Sequence, residues 1–351
     1  MLNLKCKIKI DGEDNKNIEF DYVNDIEIKT SRSDLTDTAV IKVPAKMHRK
    51  GKLLESSLKK KEGRVSIEIG YEEHGLQPVF TGYLTGIKNN ETLLELSCEN
   101  EMYSLKNQDV SGRNIEKDDL KKFLEEYIKD VNDNELFFPG INIEKEMKMS
   151  QVLNLIKEKY PYLKFYFKEG AFYAIEEGMP DTDRKATVFD LSRNMIFDKL
   201  KYEKSEDKKN CVCAVSLLDN FEVLRAYSPE QGWEEAQIYA PTYDGDKIKF
   251  VKNGYTEEKL ECNECKTPED LQKYIDKIAE NKNAARMTGT FTAFGIPFVR
   301  KGEIVTMRGE GKEWNNKRFI VEEVNYKFGV PTKDDKGGYR QIITLGREIQ
   351  S

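Results

Sequence analysis

Alternation is the feature that most constrains what this chain can fold into. Leu4, Cys6, Ile8 and Ile10 are separated by lysines, Ala39, Ile41 and Val43 repeat that spacing, and Val65, Ile67 and Ile69 carry it up to Gly70. A period of two puts every second side chain on one face, so these runs predict half-buried β-strands. The stretch "PVFTGYLTGIKNNETLLELSCENEMYSL" (78–105) continues as strand, Asn-rich turn, strand and amphipathic tail. Within it Val79, Thr81, Tyr83 and Ile87 share one face, and Phe80 and Leu84 take the other. Apolar surface on both sides suits a barrel wall or a subunit interface.

From about Lys106 the period changes. Asp118 reads as an N-cap before a helix carrying Leu120, Phe123, Leu124, Tyr127, Ile128 and Val131 on one stripe. Ser150 opens a second helix, which Pro161 ends, and "YLKFYF" with "AFYAIEE" then forms a hairpin turned at Lys168, Glu169 and Gly170. The polar stretch "GMPDTDRKA" (178–186) reads as a linker. Beyond it strands return, "NCVCAVSLL" and "FEVLRAY" being the clearest. One helix interrupts them, capped by Thr267 with Pro268 at its first position and Leu271, Tyr274, Ile275, Ile278 and Ala279 along one stripe.

The two ends share an order of strands. "DTAVIKVP", "GRVSIEIGY", "VFTGYLTGIK" and "LLELSC" correspond to "GTFTAFGIPFVRKG", "EIVTMRG", "RFIVEEVNYKF" and "YRQIITLG". Residue identity between them is slight, and two antiparallel meanders can look alike by chance. The pattern predicts a mainly β fold with α+β character: two related antiparallel β-barrel domains (1–105 and 183–351) flank a small α/β domain (106–182). The second barrel carries a helical insertion near 267–286. At 351 residues the chain is long enough for two or three domains.

Charge argues against nucleic-acid binding: 57 Lys plus Arg face 63 Asp plus Glu, and the richest lysine run, "KGKLLESSLKKKEG", is interrupted by leucines and glutamates. The amino terminus alternates like a strand and lacks the layout of a signal peptide. No apolar run approaches the roughly 20 residues that cross a bilayer, which predicts no membrane insertion by this chain and folding in a reducing cytoplasm.

Set in order, these segments resemble the baseplate hub proteins of phage tails and related contractile injection machines. These include the late control protein D group and the hub portion of type VI secretion spike proteins. The resemblance rests on "VFTGYLTGIKNNETLLELSCENEMYSL", on "GIPFVRKGEIVTMRG…KRFIVEEVNYKFG…GGYRQIITLG", and on the helix-plus-hairpin segment "MKMSQVLNLIKEKYPYLKFYFKEGAFYAIEE". It implies a structural, non-enzymatic protein of the virion or injection apparatus, assembled in the bacterial cytoplasm. It further implies a homotrimer whose repeated barrels make a pseudo-sixfold ring between a hexameric tail tube and a trimeric spike. The implied partners are the tail tube protein, a spike carried on a separate polypeptide, since only "REIQS" follows Gly346, and tape measure protein or DNA in the channel. The insertion at 244–266 has no counterpart in that pattern.

Candidate chemistry is sparse. Cys211 and Cys213 form C-x-C and Cys262 and Cys265 form C-x-x-C. Four thiolates could hold a structural zinc, although C-x-C on one strand face is equally a pair of small apolar residues. A disulfide is disfavoured in a reducing compartment. His48 and His74 lie in polar segments without a partner nucleophile. Glu72 with Glu73 and Glu322 with Glu323 read as solvated faces, and "GEGKEW" (309–314) reads as a hairpin loop lacking phosphate-binding glycine spacing. No catalytic or cofactor-binding residues are assigned. Two other function classes remain open on sequence: a zinc-dependent or cell-wall hydrolase of the tail tip, and a monomeric carbohydrate-binding β module.

Overall fold

A computed structural model describes residues 3–12, 17–49, 52–58, 63–133, 136–181, 186–205, 210–228, 243–244, 247–248, 256–330 and 337–349. The first alternating runs become β1 (Leu4–Asp11), β2 (Asn17–Phe20), β3 (Asp25–Ser31), β4 (Thr38–Pro44), β5 (Arg64–Tyr71), β6 (Gly75–Asn90) and β7 (Leu93–Glu99). They pair in the order β3-β4-β7-β6-β5-β1-β2, every neighbour antiparallel.

Two bulges account for the mixed faces of 79–87. Val79 is bulged against β5, where the register shifts between Ile67 and Glu68, and Thr85 is bulged against β7 between Leu84 and Gly86. Each extra residue reverses the parity of the strand. Val79 and Ile87 therefore pack from the edges against the same core that Phe80 and Leu84 enter, and not on an opposite apolar face.

The middle segment contains α1 (Met102–Leu105), α2 (Leu120–Glu125), β8 (Val131–Asp133), α3 (Met149–Lys159), β9 (Leu163–Lys168) and β10 (Ala171–Glu176). Helix α2 is shorter than its stripe of apolar residues predicts. Asp118 sits at φ 65 and Asp119 occupies the cap position without a side-chain bond. Asp130 at φ 54 then turns the chain, so that Val131 starts a strand parallel to β10. Asp tolerates this left-handed region, which makes it a turn residue at both ends. Helix α3 starts at Met149, and the side chain of Gln151 accepts from the Lys148 N–H at 2.8 Å. The β9–β10 turn runs through Glu169 and Gly170, both at positive φ.

The remainder forms β11 (Thr187–Asp190), β12 (Met195–Asp198), β13 (Lys201–Glu203), β14 (Asn210–Leu217), β15 (Val223–Ser228), β16 (Thr256–Glu261), α4 (Pro268–Asn283), β17 (Arg286–Thr288), β18 (Thr290–Phe294), β19 (Ile304–Arg308), β20 (Lys317–Gly329) and β21 (Gly338–Ile349). Of the insertion at 244–266, residues 245–246 and 249–255 lie outside the described residues, and 256–261 form β16.

The wall at the carboxyl end repeats the first one strand for strand. The order β12-β18-β21-β20-β19 matches β3-β4-β7-β6-β5. The bulge recurs as well: β20 shifts register against β21 between Val321 and Glu323, as β6 does against β7 between Leu84 and Gly86. The residue before each bulge donates its N–H to the loop ahead of the neighbouring strand, Leu84 to the Gly63 oxygen at 2.8 Å and Val321 to the Glu303 oxygen at 2.9 Å. One difference lies at the far side, where β11 runs parallel to β19 whereas β1 is antiparallel to β5.

Two cores result. One is shared by both walls and contains Ile8, Ile41, Ile67 and Leu96 together with Phe291, Met307, Val324 and Ile343. The other gathers 102–174 with 212–279, so α4 buries its stripe of Leu271, Tyr274, Ile275 and Ile278 beside Phe138, Ile156 and Tyr162 of the middle segment.

Candidate functional site

The two walls meet edge to edge. Strand β20 is long enough to serve three neighbours, because residues 317–320 pair with β19, residues 323–329 pair with β3, and β21 runs along its other edge. The β20–β3 register is antiparallel, from Glu323 opposite Ser31 to Gly329 opposite Asp25. Ile26, Ile28, Val324, Tyr326 and Phe328 are buried along it. Thr30 Oγ1 donates to the Val324 oxygen at 3.1 Å, and Asn325 Nδ2 donates to Glu27 Oε1 at 2.9 Å. That bond, with Lys327, Lys29 and Lys42 nearby, holds the Glu27 carboxyl below its ordinary range.

Beneath the joint a set of charges ties both walls to the middle segment. Lys301 Nζ lies 2.7 Å from both oxygens of Asp37 and 2.9 Å from the Ser31 carbonyl. Burial opposes both charges, pushing Asp37 up and Lys301 down, and each partner's field counters the other's shift. Arg32, 0% exposed, pairs with Glu322 at 3.0 Å and donates to the Met179 oxygen at 2.8 Å. Its guanidinium sits over the Tyr166 ring at 5.6 Å, and Tyr166 and Lys168 both donate to Asp181. Glu322, expected on a solvated face, is thus the counter-ion of a buried arginine. The bulge that turns this residue out of the strand alternation is what aims it there.

A cleft of about 280 Å³ opens at this three-way junction, lined by Val79, Phe80, Glu101, Phe167, Arg300 and Tyr326 among others. Burial raises the Glu101 carboxyl, whose Oε1 accepts from Thr81 at 3.2 Å. Its polar lining also includes Thr81, Asn100, Lys168 and Glu169.

The four cysteines considered as zinc ligands divide between two faces. Val212 and Ala214 of β14 enter the same core as Cys262 and Cys265, so Cys211 and Cys213, one residue out of phase, lie on the opposite face of that sheet. Cys262 and Cys265 do come together, with their Sγ atoms 3.1 Å apart. The hydrogen bond between the two thiols lowers Cys262, and the same bond together with burial raises Cys265. Among the described residues no three Cys, His, Asp or Glu groups converge at metal-ligating range.

His74 is exposed in the turn after β5, with its N–H on the Tyr71 oxygen at 3.1 Å. The side chain of His48 lies outside the described residues. Glu72 pairs with Lys5 at 3.9 Å and Glu73 accepts from the Asn3 N–H, both on the surface. In the 309–314 loop the Lys312 N–H bonds the Gly309 oxygen at 3.1 Å, and Trp314 turns inward to the core shared by the walls. No described helix is long and apolar enough to cross a membrane.

No family model and no curated protein matches this sequence. Solved structures do. The tail protein from Neisseria meningitidis MC58 superposes with a TM-score of 0.62 at 14% identity, covering 97% of this chain and 96% of that one. The chain shares the fold of that tail protein. The 43 kDa tail protein of prophage MuSo2 from Shewanella oneidensis gives 0.59 at 12% identity over 98% of both chains. The E. coli c3393 protein gives 0.50 at 11% identity over 94% of this chain and 74% of that one. It is described as a type VI secretion component similar to T4 bacteriophage tail proteins. These neighbours share the tail-protein fold at identities that establish architecture alone.

Proposed function

We propose that this chain is the structural, non-enzymatic hub of a phage tail or related injection apparatus. In this proposal three copies close into a ring joining a hexameric tail tube to a trimeric spike. The observation that carries it is the duplicated wall: two units of one strand order, fused edge to edge in a single sheet through β20 and β3. A ring that presents six similar walls to a hexameric tube needs two per subunit if three subunits build it. The buried Lys301–Asp37 and Arg32–Glu322 pairs at the junction favour one fixed angle between the walls, because charges buried away from water require their partners in place.

Within this proposal 1–105 and 183–351 are the wall-forming domains, and 106–182 is a side module to which α4 is also packed. Tube protein would add to one rim and spike protein to the other, with tape measure protein or DNA in the channel, and assembly would take place in the bacterial cytoplasm. The test is seeding: the purified chain, added to monomeric tube protein, should shorten the lag of tube polymerisation and remain at one tip. Tubes that grow at the same rate and carry no chain at their ends would contradict it.

A further inference from the structure

The turn between β16 and α4 carries two of the six cysteines, Cys262 and Cys265. The Cys265 N–H donates to the Cys262 oxygen at 3.1 Å, which closes a β-turn. Such a turn brings its end Cα atoms within about 7 Å, comparable to the roughly 4.4–6.8 Å that a disulfide spans. The side chains complete the approach, with the two Sγ atoms 3.1 Å apart. A disulfide bond is about 2.04 Å long, so roughly 1 Å of side-chain movement closes it without moving the backbone. The turn is held in place by groups other than the sulfurs. The Cys262 N–H donates to the Val215 oxygen at 3.0 Å, Ser216 Oγ to the Cys265 oxygen at 2.7 Å, and the Leu217 N–H to Asn263 Oδ1 at 3.0 Å. Closing the bond removes only weak thiol contacts, between the pair and from Cys262 to Glu264 Oε2 at 4.0 Å, and Glu264 keeps Lys159 as its partner. No buried polar group loses its partner.

The other cysteines differ from this pair. Cys6 donates to the Asp21 oxygen at 3.0 Å, and burial pushes the Cys6 and Cys98 thiols up to about 12. Cys211 and Cys213 lie on the opposite face of the β14 sheet from Cys262 and Cys265. Cys262 is held below its ordinary range by the bond with Cys265, and Lys159 adds to the effect, so it is the better nucleophile. Both sulfurs of the pair are buried, yet Asn263, Lys266 and Thr267 beside them are exposed. One layer of a surface turn separates the pair from solvent, and local opening of that turn admits a reagent.

We propose that Cys262 and Cys265 form a modification site, a dithiol that a small-molecule disulfide such as glutathione disulfide oxidises reversibly to an intrachain disulfide. The Cys262 sulfur attacks one sulfur of the oxidant, which breaks the oxidant's S–S bond and releases its first thiol. The Cys265 sulfur then attacks Cys262 Sγ, which breaks the mixed disulfide and releases the second thiol. The protein loses two electrons and the oxidant gains them, and the two protons of the pair leave on the two released thiols. The product clasps the end of β16, at the edge of its sheet, to the capped start of α4. A chain folded in a reducing cytoplasm and then carried outside the cell acquires the clasp after release. That timing rests on the hub reading above, whereas the chemistry of the pair does not.

Thiol mapping tests the site. The folded full-length chain is incubated with glutathione disulfide, then denatured, alkylated and mapped by mass spectrometry. Of the six thiols, two should become unavailable to alkylation, both in the peptide that contains 262–265, and dithiothreitol should restore them. Cys265→Ser should instead trap one glutathione on Cys262, because no second sulfur is there to displace it, and Cys262→Ser should trap far less on Cys265. Six thiols still open to alkylation, a glutathione retained on Cys262 of the parent chain, or losses spread over Cys6, Cys98, Cys211 and Cys213 would overturn the site. The same mapping on tail particles tests the timing, with the pair expected reduced before release and linked after release into medium containing the oxidant. Particles that contain the chain with its pair still reduced would overturn the timing and leave the hub reading standing. Particles that lack the chain would overturn the hub reading and the timing with it, while the isolated-chain result would still decide the chemistry.

Discussion

Lys301 and Asp37, 264 positions apart in sequence, meet at 2.7 Å in the interior where the two walls join. The pair links the loop before β19 to the turn after β3. Removing one partner leaves the other charge buried and unpaired, which costs about 3–5 kcal/mol. Lys301→Met should therefore be strongly destabilising, while Lys301→Met with Asp37→Asn should recover a large part of the loss. Denaturant unfolding of the two single variants and the double variant measures the coupling, and additive losses would refute it.

Glu101 offers a pH test with a defined sign. Burial raises its folded pKa above the unfolded value. A raised carboxyl binds its proton more tightly in the folded state, so stability falls as pH rises from the unfolded to the folded pKa, and the penalty is fully present above. Glu101→Gln should raise the melting temperature at pH 7 and match the parent at pH 3, as read by calorimetry at both values.

Helix α4 is anchored by Thr267, whose Oγ1 accepts from the Asp270 N–H at 3.1 Å. Thr267→Ala should cost about 1 kcal/mol, and Thr267→Ser should restore most of it. Because α4 shares a core with α3 and β9, the loss should also appear in the hydrogen exchange of those elements.

Cys211 with Cys213 and Cys262 with Cys265 lie on opposite faces of the β14 sheet, so the two pairs do not converge. We expect the purified chain to carry no stoichiometric zinc and its melting temperature to be unmoved by a chelator. A chelator-dependent drop abolished by Cys262→Ala would show that the C-x-x-C pair finds ligands elsewhere.

Much of the fold was legible because alternation is a local signal. The strands of both walls, their shared order, the β9–β10 hairpin and the Thr267 cap all follow from residues within a few positions of one another. The bulges were not legible. Val79 and Ile87 broke the period, and the break looked like a second apolar face when it was a change of parity at Thr85 and Val79. Helix α2 was overextended for a related reason, since the apolar stripe through Val131 continued beyond Asp130, whose positive φ ends the turn. Glu322 and Arg32 gave no sequence signal at all. Their meaning depends on a contact across 290 residues, which only the joining of the walls creates.

The central claim is the ring. Cryo-electron microscopy of the full-length chain assembled with its tube and spike proteins tests it most directly. The account predicts three copies around one channel and six similar walls. A single copy at the tube tip, or an assembly without six similar walls around one channel, would contradict it.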